Sequence, residues 1–204
     1  MKMNDAIETH KLGNYVLSIV RDEDPSSPLE WAVCTMRCAH RRYKLGTEQF
    51  NSSEYDGWEA FDAAIEEEKP VFTAPLSMTD HGRICAFGIG DRRDWDSGRV
   101  GSALITDEAL KSALGMERYN ELSVEERVKH AEAIVRAEVE QYEKYLLGEC
   151  YGYRVEFLEK CNLGHTHEET VDSCYGFLDK KDAEREGMEA LHRFVALDTK
   201  SVTL

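Results

Sequence analysis

Between Ser123 and Leu147 the chain carries a run of 25 residues that admits only one local conformation. Val124, Val128, Ala131, Val135, Val139, Tyr142 and Leu146 recur at spacings of three and four, the period of one face of an α-helix. Ser123 followed three residues later by Glu126 has the form of a capping box, and Gly148 stands at the C-terminal stop. The opposite face alternates Glu with Lys and Arg, as a solvated face with i,i+4 pairs does. A helix this long with one apolar stripe must lie on an apolar surface, so the rest of the chain has to supply one.

That surface is expected to be a sheet. Asn14 to Arg21 reads as a strand with Tyr15, Leu17 and Ile19 on one face, and a second strand is expected from about Trp31 to Tyr43. Within the second, Cys34, Met36 and Cys38 alternate with Val33, Thr35 and Arg37, which places both cysteines on one buried face. Val71 to Met78 and Arg83 to Ile89 form a hairpin around Thr79-Asp80-His81-Gly82, and Val100 to Ile105 is a further short strand. Cys150 to Glu159 and Val171 to Phe177 alternate apolar and polar residues as a second hairpin, joined by a polar connection from Lys160 to Thr170. Shorter helices are expected from Ser52 or Ser53, the latter with Asp56 resembling a capping box, after Thr106, and from about Lys181 to Val195.

Strands and helices come in blocks without βαβ regularity, and no glycine-rich phosphate loop is present. The expectation is an α+β fold: a mixed or antiparallel sheet of about six or seven strands, one long amphipathic helix and two or three shorter ones. At 204 residues one domain from 14 to 196 accounts for the chain, with tails at 1–13 and 197–204. A chain of this size buries roughly 70% of its unfolded surface and needs no staple to fold.

Charge narrows the partners. Forty acidic against 25 basic residues give a net charge of −15, which repels nucleic acid and anionic membranes and either serves solubility alone or steers the chain toward a protein partner with a basic surface. Residues 1–13 lack the basic and apolar regions of a signal peptide, and no apolar stretch is long enough to span a bilayer. Six cysteines at irregular spacing, with no C-x2-C pair, fit reduced thiols in a cytoplasm.

Several polar positions are candidates for chemistry. Cys161, His165 and His167, with Cys174 or Cys150 as a fourth ligand, combine thiolate and imidazole as zinc does; the simpler reading is a polar loop and no cofactor. Asp80, His81, Asp94, Asp96 and Asp172 fall at strand ends or turns, where they could converge as acid, base or magnesium ligands of a hydrolase or nuclease. Asp and Ser also hydrogen-bond their own backbone at turns, which accounts for Asp96-Ser97-Gly98 without catalysis. Cys174 is a candidate thiol nucleophile or a small packing residue. His40-Arg41-Arg42-Tyr43 concentrates positive charge, either for an anion or to pair with the protein's own carboxylates such as Asp96 or Asp172.

Five strings occur in order: His40-Arg41-Arg42-Tyr43-Lys44-Leu45-Gly46, Asp80-His81-Gly82, Trp95-Asp96-Ser97-Gly98, Tyr151-Gly152-Tyr153 and Asp172-Ser173-Cys174-Tyr175-Gly176-Phe177. Together they resemble a family of uncharacterised proteins carried by bacteriophages and mobile elements, over about Tyr15 to Phe177. The chain departs from that pattern in having Tyr175 where Trp is usual and a longer 160–170 connection. The resemblance implies an accessory product acting in the cytoplasm of a bacterial host. With the acidity it points to binding of a host protein and inhibition of a defence or DNA-processing nuclease complex, in the manner of anti-restriction or anti-CRISPR proteins. His40, Arg41, Arg42, Trp95, Asp96, Tyr151, Tyr153 and Tyr175 are the corresponding binding candidates. The alternatives are the metal-dependent hydrolase and a structural or regulatory homodimer.

Overall fold

The computed structural model describes residues 5–90 and 95–201. The fold is α+β: among the described residues nine strands lie in two sheets and five α-helices accompany them. The chain divides into two compact units, where the sequence pattern suggested one. The described parts of Met1–Ser26 and Gly148–Leu204 form unit 1, and Ser27–Leu147 forms unit 2. Unit 1 is therefore built from both ends of the chain, and composition does not change where the chain enters or leaves it.

Unit 1 is a four-stranded antiparallel sheet in the order β1-β2-β8-β9 with a helix on one face. Its strands are β1 (Ala6–Leu12), β2 (Tyr15–Arg21), β8 (Tyr151–Lys160) and β9 (Thr166–Phe177), and its helix is α5 (Lys180–Ser201). Residues expected as an N-terminal tail thus form β1, paired to β2 around a turn at Gly13. The C-terminal helix likewise extends beyond Val195 to Ser201. Tyr15, Leu17 and Ile19 of β2 and Tyr153 and Val155 of β8 face α5, which contributes Ala183, Ala190 and Leu191 to the same core. Helix and sheet meet closely at Gly187, where a Cβ would stand 2.6 Å from Leu17 Cδ1, so a larger residue would push α5 away.

Unit 2 contains β3 (Thr35–Cys38), β4 (Glu48–Gln49), β5 (Phe72–Asp80), β6 (Ile84–Ile89) and β7 (Ser97–Ile105), in the order β4-β3-β7-β5-β6. Only β3 and β4 pair in parallel. The long helix α4 (Val124–Leu146) forms as its pattern requires, with both bonds of the Ser123–Glu126 capping box present. Ala131, Val135, Val139 and Tyr142 bury its central stripe against Met36, Cys38, Leu76, Phe87 and Ala103 of the sheet. Val124 and Val128, at its first turns, are exposed. Two shorter helices, α2 (Asp107–Leu114) and the unforeseen α3 (Met116–Glu121), join this side through Leu110 and Tyr119.

The other face of the unit 2 sheet carries α1 (Gly57–Glu67), whose Phe61 and Ile65 pack with Leu104 beneath Phe50, Tyr55 and Trp58. The expected Ser53–Asp56 capping box does not form. Ser52–Glu54 is a single 3-10 turn capped by the Asn51 side chain, and Asp56 occupies the N-cap of α1 without a side-chain cap bond. The strand expected over Trp31 to Tyr43 is also shorter. Pro28–Trp31 is a 3-10 turn, and the chain leaves the sheet after Cys38. Glu138 of α4 is one cause, because its carboxylate accepts the Val33 and Cys34 N–H groups, at 2.9 and 2.8 Å, that a strand partner would otherwise take. Cys34 and Cys38 are buried on one face as expected, and burial pushes the Cys38 thiol up to about 12.

Candidate functional site

The polar strings of unit 2 meet at the end of the sheet where β5 turns into β6 and β7 begins. The His40–Tyr43 segment is shaped by His40, whose Nδ1 accepts the backbone N–H groups of Arg42 (3.3 Å) and Tyr43 (3.2 Å) and whose ring stacks on Tyr43 at 5.1 Å. That turn presents Arg42 to the Asp80 carboxylate, with which it forms an ion pair. Asp80 also accepts the Gly82 N–H at 2.9 Å, closing the β5–β6 turn. Beside it His81 Nε2 lies 2.8 Å from Asp96 Oδ2, and the Asp80 N–H donates to the Asp96 carbonyl. Thr79 and Ser97 hydroxyls complete the row at 2.7 Å.

This arrangement brings together Arg42, Asp80, His81 and Asp96, and engages both carboxylates internally. Asp94 lies outside the described residues. Asp172 belongs to unit 1, where it accepts from Arg193 at 3.0 Å and stands 3.5 Å from the Tyr153 hydroxyl. Of the expected acid and base set, Asp80, His81 and Asp96 gather in unit 2, with Asp80 paired to Arg42 and Asp96 beside His81, and Asp172 lies in unit 1. Burial, together with Arg42 and Arg41, lowers the pKa of His40, which keeps the ring neutral and able to accept its two backbone bonds.

Arg41 points elsewhere. It is exposed, has no ion-pair partner among the described residues, and lines an open groove of about 670 Å³ with Ala39, His40, Gln49, Phe50, Asn51 and Ser52. One guanidinium among amide and hydroxyl groups suits a carboxylate or phosphate. Trp95, at the start of β7, is 96% exposed, which leaves a large aromatic surface available to a partner.

The strings of unit 1 have a packing explanation. Tyr175 lies opposite Gly152 across β8 and β9, and its ring occupies the space that a Cβ on Gly152 would take, 2.3 Å from Tyr175 Cδ1. Tyr153 is buried under α5, and burial with the Asp172 charge raises its pKa. Tyr151 is half-buried beneath the Arg21 guanidinium. Cys174 is exposed, and its thiol donates to the Tyr175 carbonyl at 3.8 Å. In unit 2, Gly46 of the first string has φ +73° and a backbone so close to the Met36 carbonyl that a Cβ would sit 2.2 Å away.

The Lys160–Thr170 connection is mostly strand. β8 and β9 extend into it, and Cys161 to His165 is a tight turn closed by Cys161 N–H to His165 carbonyl and Gly164 N–H to Cys161 carbonyl bonds. Among the described residues Cys161, His165 and His167 do not gather into a metal-binding group. The group that does is Glu8, His10 and Glu184 of unit 1, whose ligand atoms all lie within 4.8 Å of one another. Its signal, Glu-x-His, is present in the sequence, but it becomes visible only once residues 6–12 are known to be a strand.

Acidic residues also separate by place. Unit 1 carries 17 acidic and 10 basic residues and unit 2 carries 23 and 15, so net charge alone singles out neither. Locally the difference is large. From Glu54 to Glu68 there are seven acidic residues and no basic one, and Glu54, Asp56, Glu59, Glu66, Glu67 and Glu68 are exposed. Asp62 and Glu68 turn back to the sheet through Arg99 and Arg37. The other five form no ion pair among the described residues. No protein-family model, curated protein or solved structure matches the chain.

Proposed function

We propose that this protein is a non-enzymatic accessory protein of a phage or mobile element that binds a basic surface of a bacterial host protein through α1. The observation that carries this reading is the acidic surface of that helix and the turn before it: Glu54, Asp56, Glu59, Glu66 and Glu67 are exposed and form no ion pair among the described residues. Such a face raises the encounter rate with a cationic partner and disfavours polyanions. Its mounting is firm, because Arg99 lies 4.6 Å over the Trp58 ring and forms two bonds with Asp62. A basic surface that normally holds nucleic acid is the natural target, which places the activity with inhibition of a defence or DNA-processing nuclease in the host cytoplasm. Among the described residues no helix is long and apolar enough to cross a membrane.

The test is capture from bacterial lysate on the immobilised full chain at low and at high salt, with a Glu59→Lys/Glu66→Lys/Glu67→Lys variant beside the wild type. A partner retained at low salt, released at high salt and lost by the variant is expected. Equal capture by the variant, or no salt-sensitive protein at all, would sink the proposal.

A further inference from the structure

We infer that Glu8, His10 and Glu184 form a binding site for one divalent transition-metal ion that ties the edge strand β1 to α5. Glu8 and His10 are two residues apart in β1 and so project from the same face of the strand. That is the face on which α5 lies, and Glu184, one turn into the helix, reaches the same point. His10 Nε2 stands 3.1 Å from Glu8 Oε1 and 3.7 Å from Glu184 Oε1. An ion with bonds of roughly 2.0–2.2 Å to nitrogen and oxygen sets its ligand atoms about 3–3.6 Å apart, close to the two separations at His10 Nε2, and all three ligand atoms lie within 4.8 Å of one another.

Two further observations support an ion at this point. The Nε2 atom of His10 is buried yet has no hydrogen-bond partner of adequate geometry, although carboxylate oxygens stand near it. In the imidazole tautomer with its proton on Nδ1, the Nε2 lone pair is what a metal would take up. The second is Lys180, which pairs with Oε2 of Glu8 and leaves Oε1 for the site. A carboxylate held by its outer oxygen while the inner one faces an ion is the usual arrangement of a supported ligand. Two carboxylates and a neutral imidazole balance a divalent charge. They favour zinc, manganese or iron(II) over calcium, which prefers an all-oxygen shell. Three protein ligands leave at least one position for water or for a group from another molecule.

The experiment uses the full chain, stripped with chelator and then dialysed against Mn(II) or Zn(II), with metal counted by elemental analysis and unfolding followed by heat. Mn(II) avoids the six thiols, which prefer softer ions. The wild type is expected to hold one equivalent and to gain several degrees in Tm on loading. His10→Ala and the near-isosteric Glu184→Gln should each weaken binding at least tenfold. A Cys161→Ser/His165→Ala/His167→Ala variant should bind as the wild type does. Absence of stoichiometric metal on the wild type overturns the inference, as does unchanged binding by Glu184→Gln or loss confined to the hairpin variant. Should His10→Ala not fold, the wild-type stoichiometry and Glu184→Gln still decide it.

Discussion

The two helices that cover the unit 2 sheet are both rich in glutamate and use it in opposite ways. On α4, Glu138 accepts two backbone N–H groups from the 33–34 turn and Glu143 accepts the Phe87 N–H of edge strand β6 at 2.9 Å. Glu132 and Glu140 pair with Arg136 and Lys144 one turn on. On α1, two carboxylates bind arginines of the sheet and the rest face outward with no cation on the helix. Acidic composition is thus structural on one helix and exposed on the other. A count of charges does not distinguish them, but the identity of each carboxylate's neighbour does.

The comparison can be broken most readily at α1's attachment. Phe61 is 1% exposed and stacks on Phe50 at 4.5 Å. Phe61→Ala should cost about 3–5 kcal/mol in urea unfolding. A loss below about 1 kcal/mol would mean that α1 does not depend on its aromatic anchor. Next is the internal carboxylate of α4. Glu138→Ala leaves two half-buried N–H groups without an acceptor and should cost about 2–3 kcal/mol, with faster hydrogen exchange at Val33 and Cys34. Equal protection of those amides would show that water replaces the carboxylate.

A smaller effect is expected with pH. His40 has a folded pKa below its ordinary 6.5, so between the two values the unfolded chain binds the extra proton and stability rises with pH. His40's contribution is therefore present above about pH 6.5 and lost as pH falls through and below that value. His40→Gln should flatten this part of the stability profile. An unchanged slope would show that the ring is not what titrates. The smallest change in folding belongs to the outward face of α1, where Glu59→Lys, Glu66→Lys and Glu67→Lys should each shift stability by no more than about 0.5 kcal/mol. A larger loss from any of them would mean that its carboxylate has a structural partner after all.

What could be read in the chain beforehand follows a physical division. α4 with its capping box, the β5–β6 hairpin, the strand from Tyr15 and the α2 segment closed at Gly115 all rest on residues a few positions apart. The basic island meets a carboxylate through Arg42 and Asp80, whereas the two expected partners stand elsewhere, Asp96 beside His81 and Asp172 with Arg193. The acidic surface around α1 is not visible in the overall charge, because the seven acidic residues between Glu54 and Glu68 stand out only once their neighbours in the fold are known.

Periodicity, caps and turn chemistry are near-neighbour properties, and the sequence by itself determined the elements that depend on them and the α+β class that follows. Which strands share a sheet depends on residues far apart, as in the pairing of Tyr15 with Phe157, and no local pattern encodes that. The tertiary structure alone made a strand of residues 6–12, divided the chain into two units, and gave Asp172 to Arg193. By the same long-range pairing it placed Glu8 and His10 beside Glu184. The long helix at 123–147 needed an apolar surface, and the fold decided which surface and which of its carboxylates would hold it there.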